Sequence, residues 1–496
     1  MTRQIETTIL IVGTGGNAIA AASMLQRAGL DDLIIIGKHG DFGGAWYQNK
    51  YPGCGTDAEI ALYQLGFALS YDWKGTHPNS DEVEEYLQGV ARDNGLYEKT
   101  HFDTELLEAR WREDEARWEV ATNGPTYLAD FVYLITGFLE EPIEPELPGR
   151  ETFAGRIFHS SEWPSGYTGE GDRIAVVGAG SSALQIVPAM QRVAREVISF
   201  QRTPNWVGPK GERRFSEEEI QELKDDPGII HQRRQELLAW GEGFWTSVIL
   251  GQDPEGAKQV EEAALASLGE QVPDPELRAL LTPAHPIGCK RPGSSDDWYS
   301  ALQQPNVTVL REGAASLGER TIRSSGGREF EVDTVVLATG FYFGGHIRHR
   351  IVRRDGATAG EYQGDHPRSY KGMSISGCPN LFFGGPGPNG QIWDGLANGE
   401  VTSRYVIEAI KYYREHGIRA MEVDEAAELQ WKAEADAVLA AGASLSGACT
   451  NYSQDESGGN KAAWPGNLAH MQEVLSVFDP TAYTVVAEVP AAVSAG

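Results

Sequence analysis

Two stretches of the chain share one hydrophobic rhythm. Thr8-Ile-Leu-Ile-Val-Gly13-Thr-Gly15-Gly16-Asn-Ala18 runs an apolar strand into a glycine turn. Ile19 to Ala28 continues as a helical run, and Leu33 to Ile36 is a second apolar stretch. Arg173-Ile-Ala-Val-Val-Gly178-Ala-Gly180-Ser181-Ser182-Ala183 repeats the order, with a helix from Leu184 to about Ala194 and the apolar run Val197 to Phe200. Short runs that are apolar at successive positions suit strands buried on both faces of a parallel sheet. Each unit therefore predicts strand, glycine turn, helix, strand, the βαβ arrangement that cradles a dinucleotide. The first glycine makes the turn, and the second lets backbone approach a pyrophosphate at the positive end of the helix. The third position, Ala18 or Ala183, is small so that helix and strand can pack.

A second echo follows each unit. Tyr133-Leu-Ile-Thr-Gly137-Phe and Val336-Leu-Ala-Thr-Gly340-Phe both end an apolar strand in Thr-Gly-Phe, which marks them as points where the chain crosses between domains. From about Phe215 to Leu281 the pattern turns helical. Ser216 with Glu219 forms a capping box, and Asp253-Pro254 and Asp274-Pro275 place an N-cap and a first-turn proline at two further helix starts. Another amphipathic helix is predicted from about Glu400 to His416, ending at Gly417, and the tail Pro490 to Gly496 reads as disordered. The whole predicts an α/β protein of two Rossmann-like dinucleotide-binding domains, the second carrying a helical insertion.

Composition narrows the partners. Lys plus Arg number 42 and Asp plus Glu 71, a net charge of −29 over 496 residues, which argues against nucleic acid and anionic lipid surfaces. No stretch approaches the roughly 18 apolar residues of a membrane span, and the N-terminus shows no basic-then-apolar leader, so a cytoplasmic protein is expected. Cys54, Cys289, Cys378 and Cys449 are far apart and match no metal or redox spacing; no metal site is expected, and the four read as packing residues.

The strand ends tell the two nucleotide sites apart. After Val197 to Phe200 comes Gln201-Arg202-Thr203-Pro204, with no acid to accept from a ribose 2′-hydroxyl; Arg202 and Thr203 suit a 2′-phosphate, so the second site is expected to prefer NADPH to NADH. After Leu33 to Ile36 the acid expected for a ribose is replaced by Gly37, and Lys38 cannot accept a hydrogen bond. A weakened cofactor site follows.

Phe153-Ala-Gly155-Arg-Ile-Phe-His159-Ser-Ser-Glu-Trp163-Pro164 resembles the fingerprint FxGxxxHxxxWP of the type I Baeyer–Villiger monooxygenases, and lies between the two glycine motifs as it does in that family. Asp41-Phe-Gly43-Gly44-Ala-Trp46-Tyr47, Tyr51-Pro52-Gly53, Asp57, Gln201 to Pro204, Lys290-Arg291, Ala338-Thr339-Gly340 and Pro379-Asn380 resemble it too, over nearly the whole chain. The resemblance implies FAD on Gly13, Gly15, Gly16, Gly43, Gly44, Trp46 and Asp57. It implies NADPH on Gly178, Gly180, Ser181, Ser182, Arg202, Thr203, Lys290 and Arg291. It makes Arg291 the active-site arginine and Asp57 the acid that positions it, and links His159 and Trp163 to domain motion. The implied reaction is NADPH- and O₂-dependent conversion of a ketone to an ester or lactone through a C4a-peroxyflavin, in which a fixed guanidinium stabilises developing anions.

On that reading, residues 1–145 and 341–496 are the two parts of the FAD-binding domain. Residues 146–214 and 286–340 are the two parts of the NADP-binding domain, and 215–285 are the helical insertion. Two departures from the family stand out: Ala18 for its third glycine, and Gly37 for its acid, which puts FAD retention in question. Two other functions remain open at this point. One is a flavin monooxygenase oxidising nitrogen or sulfur; the other is a flavin-poor, non-enzymatic NADPH-binding relative. Trp298, Trp393 and Trp464 are candidates for the substrate pocket, and oligomeric state and ketone identity are left open.

Overall fold

The computed structural model describes every residue except 1–3, 344–345, 386, 394, 444–449, 456 and 490–496, so Cys449 and the tail predicted to be disordered lie outside it. In chain order the elements that build the two sheets are β1 (Gln4–Val12), α1 (Gly16–Arg27), β2 (Leu33–Ile36), β3 (Thr100–His101), β4 (Leu106–Arg112), β5 (Arg117–Thr122) and β6 (Thr126–Leu134). They continue with β7 (Arg156–His159), β8 (Arg173–Val177), α2 (Ser181–Gln191) and β9 (Glu196–Phe200). After the insertion helix α3 (Gly228–Phe244) come β10 (Val307–Leu310), β11 (Thr334–Leu337), β12 (Ile351–Val352), β13 (Leu381–Phe383) and α4 (Gly395–Glu415).

The first sheet runs β12-β4-β5-β6-β1-β2-β3, with β13 also paired to β6. Its β6-β1-β2-β3 portion is parallel, while β4, β5 and β6 pair antiparallel. The second sheet, β10-β9-β8-β11-β7, is parallel throughout. Burial on both faces explains the unbroken apolar runs: Ile9, Leu10 and Ile11 on β1 and Ile174, Ala175 and Val176 on β8 are all at most 1 % exposed. Each large side chain so buried contributes about 1.5–3 kcal/mol relative to exposure.

Both Thr-Gly-Phe segments do carry the chain from one sheet to the other, and they meet side by side. Pro142 bridges Phe341, and the Ile143 amide donates to the Gly340 carbonyl at 2.8 Å. The insertion is helical as expected, with Ser216, Asp253 and Asp274 each capping a helix start through a side-chain oxygen. The late helix begins at Gly395, five residues before the predicted Glu400. Its added first turn packs against α1, where Gly399 lies so close to Asn17 that a Cβ would fall 2.5 Å from its side-chain oxygen. Tertiary packing extends a helix that local pattern alone starts later.

One reading of the cysteines is corrected. Cys54 and Cys378 are free and buried, but Cys289 is disulfide-bonded and not a simple packing residue. Disulfide formation requires spatial proximity, which sequence separation does not reveal. Among the described residues no helix is long and apolar enough to cross a membrane, and no cluster of His, Cys, Asp and Glu is arranged to hold a metal.

The segment after the Gly43-Gly44 loop docks one sheet system on the other. Tyr51 donates its hydroxyl to Gln185 on α2 at 2.9 Å, and the Gln185 amide donates to the Gly55 carbonyl at 2.9 Å. Between them Gly53 has φ +84°, and a Cβ there would sit 2.8 Å from the Gln185 carbonyl oxygen. Gly166 also has positive φ (+76°), but nothing lies within 4 Å of its Cβ position. Gly53→Ala is therefore expected to destabilise by about 1–3 kcal/mol through strain plus collision, and Gly166→Ala by less, both read from thermal unfolding. Equal midpoints would show that the docking contact carries no steric constraint.

Candidate active site

The two glycine turns are built alike. Gly13 and Gly178 have φ of +133° and +140°, and a Cβ on either would fall 2.1 Å from a strand-end carbonyl, that of Ile135 or of Ala338. Only glycine fits both the dihedral and the approach. Gly15 and Gly180 then cap α1 and α2; neither helix start has a side-chain cap or an acidic residue in its first turn. Their free N–H groups and dipoles suit an anion. Nothing lies within 4 Å of the Cβ position of Gly180, whereas Gly44, at φ +56°, would place its Cβ 2.7 Å from the Gly15 Cα. Gly16 serves packing, its Cβ position lying 2.6 Å from Leu396 Cδ2, and Ala18 and Ala183 are fully buried.

Gly37 has a steric explanation. A Cβ there would lie 2.3 Å from Thr14 Cγ2 and 2.9 Å from its hydroxyl, so Thr14 fills the space an acidic side chain would leave through. Lys38 is held by Glu140 at 3.1 Å. Thr14, Gly37, Lys38 and Glu140 all face the same cavity.

That cavity, of about 970 Å³, is opened onto by both glycine turns, the Gly43-Gly44-Trp46 loop, Asp57, Ser181, Ser182, Arg202, Thr203, Lys290 and Arg291. Residues predicted for two nucleotide sites are thus brought to one space. The Arg291 guanidinium donates to Asp57 at 2.8 Å. Asn205 donates to the Arg291 carbonyl at 2.9 Å, fixing the backbone, and Ser294 donates to the Asp57 carbonyl at 3.3 Å. The Arg291 side chain is still 51 % exposed, leaving N–H groups free toward the cavity. The neighbouring Asp57 carboxylate holds the Arg291 pKa above its usual value. Burial, with the nearby charge of Arg202 adding to it, lowers the Lys290 pKa. Neither Lys290 nor Arg202 is ion-paired to a carboxylate among the described residues.

Sequence reasoning missed several neighbours. Tyr63 and Tyr452 lie close enough to Arg291 to act on its charge; Trp46 donates its indole N–H to the Tyr63 hydroxyl at 3.0 Å, and Gln391 donates to the Tyr452 hydroxyl at 3.4 Å. Asn205 directly follows Gln201 to Pro204, so extending that motif by one residue finds it; no periodicity marks Tyr63 or Gln391. Of the three candidate tryptophans, Trp393 lines the cavity, while Trp298 and Trp464 are core residues at 2 % and 0 % exposure.

The fingerprint lies away from the cavity. A Cβ on Gly155 would meet the Phe153 ring at 2.6 Å, and Trp163 packs edge-on against Phe158 while donating to the Tyr167 carbonyl at 3.0 Å. The Pro164 carbonyl accepts from the Tyr167 amide at 3.1 Å. His159 is fully buried, and burial lowers its pKa. Its Nδ1 accepts from the Ser161 amide at 3.2 Å, so Nε2 carries the proton and donates to the Gly340 carbonyl at 3.1 Å. His159 thereby ties the fingerprint to one of the two sheet crossings.

Residues 10–224 match the pyridine nucleotide-disulphide oxidoreductase family. A Baeyer-Villiger monooxygenase of Streptomyces coelicolor is 34 % identical over 98 % of this chain and 94 % of its own length, and one of Pseudomonas aeruginosa is 32 % identical over 98 % and 93 %.

This chain belongs to the Baeyer–Villiger monooxygenases.

The closed structure of a cyclohexanone monooxygenase superposes with a TM-score of 0.84 at 26 % identity, covering 97 % of this chain and 99 % of that one. The NADP⁺-bound cyclohexanone monooxygenase of Rhodococcus sp. Phi1 gives 0.82 at 25 %, covering 95 % and 97 %. OTEMO in complex with FAD and NADP shares the fold, with a TM-score of 0.85 at 23 % identity over 95 % and 97 %. The protein is a Baeyer–Villiger monooxygenase using FAD and NADPH, and the heteroatom-oxidising and non-enzymatic readings give way to that one. The cavity fits both cofactors on its own evidence: two helix starts without side-chain caps, a glycine edge with open space before it, and two adjacent cations with no carboxylate partner among the described residues. For this Baeyer–Villiger monooxygenase, Gly37→Asp is expected to weaken FAD, although it restores an acid. Overpacking against Thr14 costs about 1–3 kcal/mol, a rise of roughly 5- to 150-fold in Kd when apoprotein is titrated with FAD. Tighter binding would show that Thr14 yields.

Proposed function

We propose that this monooxygenase converts a ketone, O₂, NADPH and a proton into an ester or lactone, water and NADP⁺, with Arg291 as the catalytic group and Asp57 as its positioning residue. In this division residues 1–145 and 341–496 hold FAD, residues 146–214 and 286–340 hold NADPH, and 215–285 form the insertion. The observation that carries the reading is the Arg291–Asp57 contact of 2.8 Å inside the cavity that both glycine turns share.

FAD, once reduced by NADPH, supplies the activated oxygen. The chain's own residues supply the rest. Arg291 stays charged at any working pH, and Asp57 engages one of its N–H donors while others face the cavity. Those donors can bind the carbonyl oxygen and hold the negative charge that builds on it as the carbonyl carbon is attacked. Asp57 holds the fork and Asn205 the Arg291 backbone before substrate enters, so little reorganisation accompanies the reaction. Trp46, joined to Tyr63, closes the side of the cavity formed by the Gly43-Gly44 loop.

Arg202 and Lys290 supply the 2′-phosphate site. Two neighbouring cations without a carboxylate partner among the described residues repel one another, and that repulsion adds to burial in lowering the Lys290 pKa. An anion between them removes it.

Arg291→Ala is expected to lower ester formation on the order of 10²–10³-fold, with NADPH consumed and hydrogen peroxide released instead. Ester formation at the wild-type rate would remove Arg291 from the reaction. For Arg202→Ala, the ratio of kcat/KM for NADPH to that for NADH should fall by roughly tenfold, as expected for one charged hydrogen bond. An unchanged ratio would place the 2′-phosphate elsewhere.

A further inference from the structure

The insertion reaches the active-site cavity through one glycine. Helix α3 carries Gly241 and Gly243, and glycine inside a helix destabilises it. Nothing lies within 4 Å of the Cβ position of Gly243. At Gly241, which is buried, a Cβ would fall 2.6–2.7 Å from Cζ2, Cη2 and Cζ3 of Trp393. The benzo edge of that indole therefore rests on bare helix backbone. One turn further on, Trp245 packs in the same apolar cluster as Trp393.

The polar edge of the indole is aimed as well. Trp393 Nε1 and Glu242 Oε2 are both buried, and neither completes a good hydrogen bond. The indole N–H nevertheless faces the Glu242 carboxylate and offsets part of the upward push that burial gives its pKa. The other carboxylate oxygen of Glu242 accepts from the Leu468 amide at 2.9 Å, which fixes the carboxylate from the opposite side. Glu242 also lines a second cavity of about 480 Å³, together with Leu238, Ala397 and Leu468. Trp393 lines the cavity that holds Arg291. The indole thus faces the Arg291 cavity on one side and Gly241 and Glu242 on the other.

We propose that Trp393, seated on Gly241 and oriented by Glu242, is the wall that sets the size of ketone this enzyme accepts. With the indole in place, a ketone bearing a large substituent beside the carbonyl is excluded. Without the indole, the substituent has room in the Arg291 cavity. A side chain at position 241 drives the ring toward Arg291 and narrows the site. The proposal rests on the ketone reading above; Trp393 touches substrate in it, while Gly241 and Glu242 are positioning residues.

The test compares two probes, cyclohexanone and 2-phenylcyclohexanone, in the FAD-loaded enzyme. Dissociation constants come from calorimetry, and kcat/KM from product formation with NADPH. Because both probes are read in the same preparation, their ratio is insensitive to partial loss of folded protein. Trp393→Ala is expected to shift the ratio at least tenfold toward 2-phenylcyclohexanone, Gly241→Ala to shift it severalfold the other way, and Trp393→Phe to stay near the wild-type ratio. Glu242→Leu should move in the same direction as Trp393→Ala, and Glu242→Gln, which keeps an acceptor, should not. Ratios in Trp393→Ala and Gly241→Ala that match the wild type overturn the proposal, as does an equal fall for both probes. A wild-type enzyme that binds the ketones but forms no ester overturns the ketone reading instead, and the binding ratios still decide the role of Trp393.

Discussion

Arg291 and Asp57 are 234 positions apart and come from different sheet systems, and everything proposed for the site depends on their meeting at 2.8 Å. Neither side chain reaches the other by local structure. Asp57 is delivered by the segment from Tyr51 to Gly55, which lies against α2 through two hydrogen bonds to Gln185 and through a glycine that allows backbone to touch backbone. Arg291 is delivered by the chain leaving the helical insertion, its carbonyl held by Asn205 at the end of the second nucleotide unit. The ion pair therefore reports the relative placement of the two sheets.

The same placement resolves the charge balance. A molecule of net charge −29 collects Arg202, Lys290 and Arg291 on one cavity and leaves the first two without carboxylate partners among the described residues. Repulsion between them is tolerable only where an anionic group recurs, and two uncapped helix starts face the same space. Net charge governs encounters with polyanions and surfaces. A single bound dinucleotide answers to a few charges within hydrogen-bonding reach.

Gly37 and Cys289 show where residue identity misleads. Gly37 looks like a lost acid, yet Thr14, on the far side of α1 and β2 in the chain, already fills the path that side chain would take. Cys289 has no partner at any recognisable spacing and is nonetheless disulfide-bonded. In the fingerprint, His159, Phe153, Gly155 and Trp163 pack and hydrogen-bond outside the cavity, so the most distinctive motif of the sequence does not line it.

By itself the sequence determined both βαβ units, the two crossings, the helical insertion with its caps, and the cofactor preference of the second unit. Strand burial, turn dihedrals and helix capping act over a few residues, so their requirements are written locally, as Gly13, Gly178, Ser216 and Asp253 illustrate. Only the tertiary structure decided that Tyr63 and Tyr452 lie beside Arg291, that α4 starts at Gly395, and that Trp393 rather than Trp298 or Trp464 borders the cavity. A tryptophan in a core and one on a cavity wall satisfy the same local pattern. Which of them meets open space depends on what the rest of the chain places opposite, here the bare backbone of Gly241.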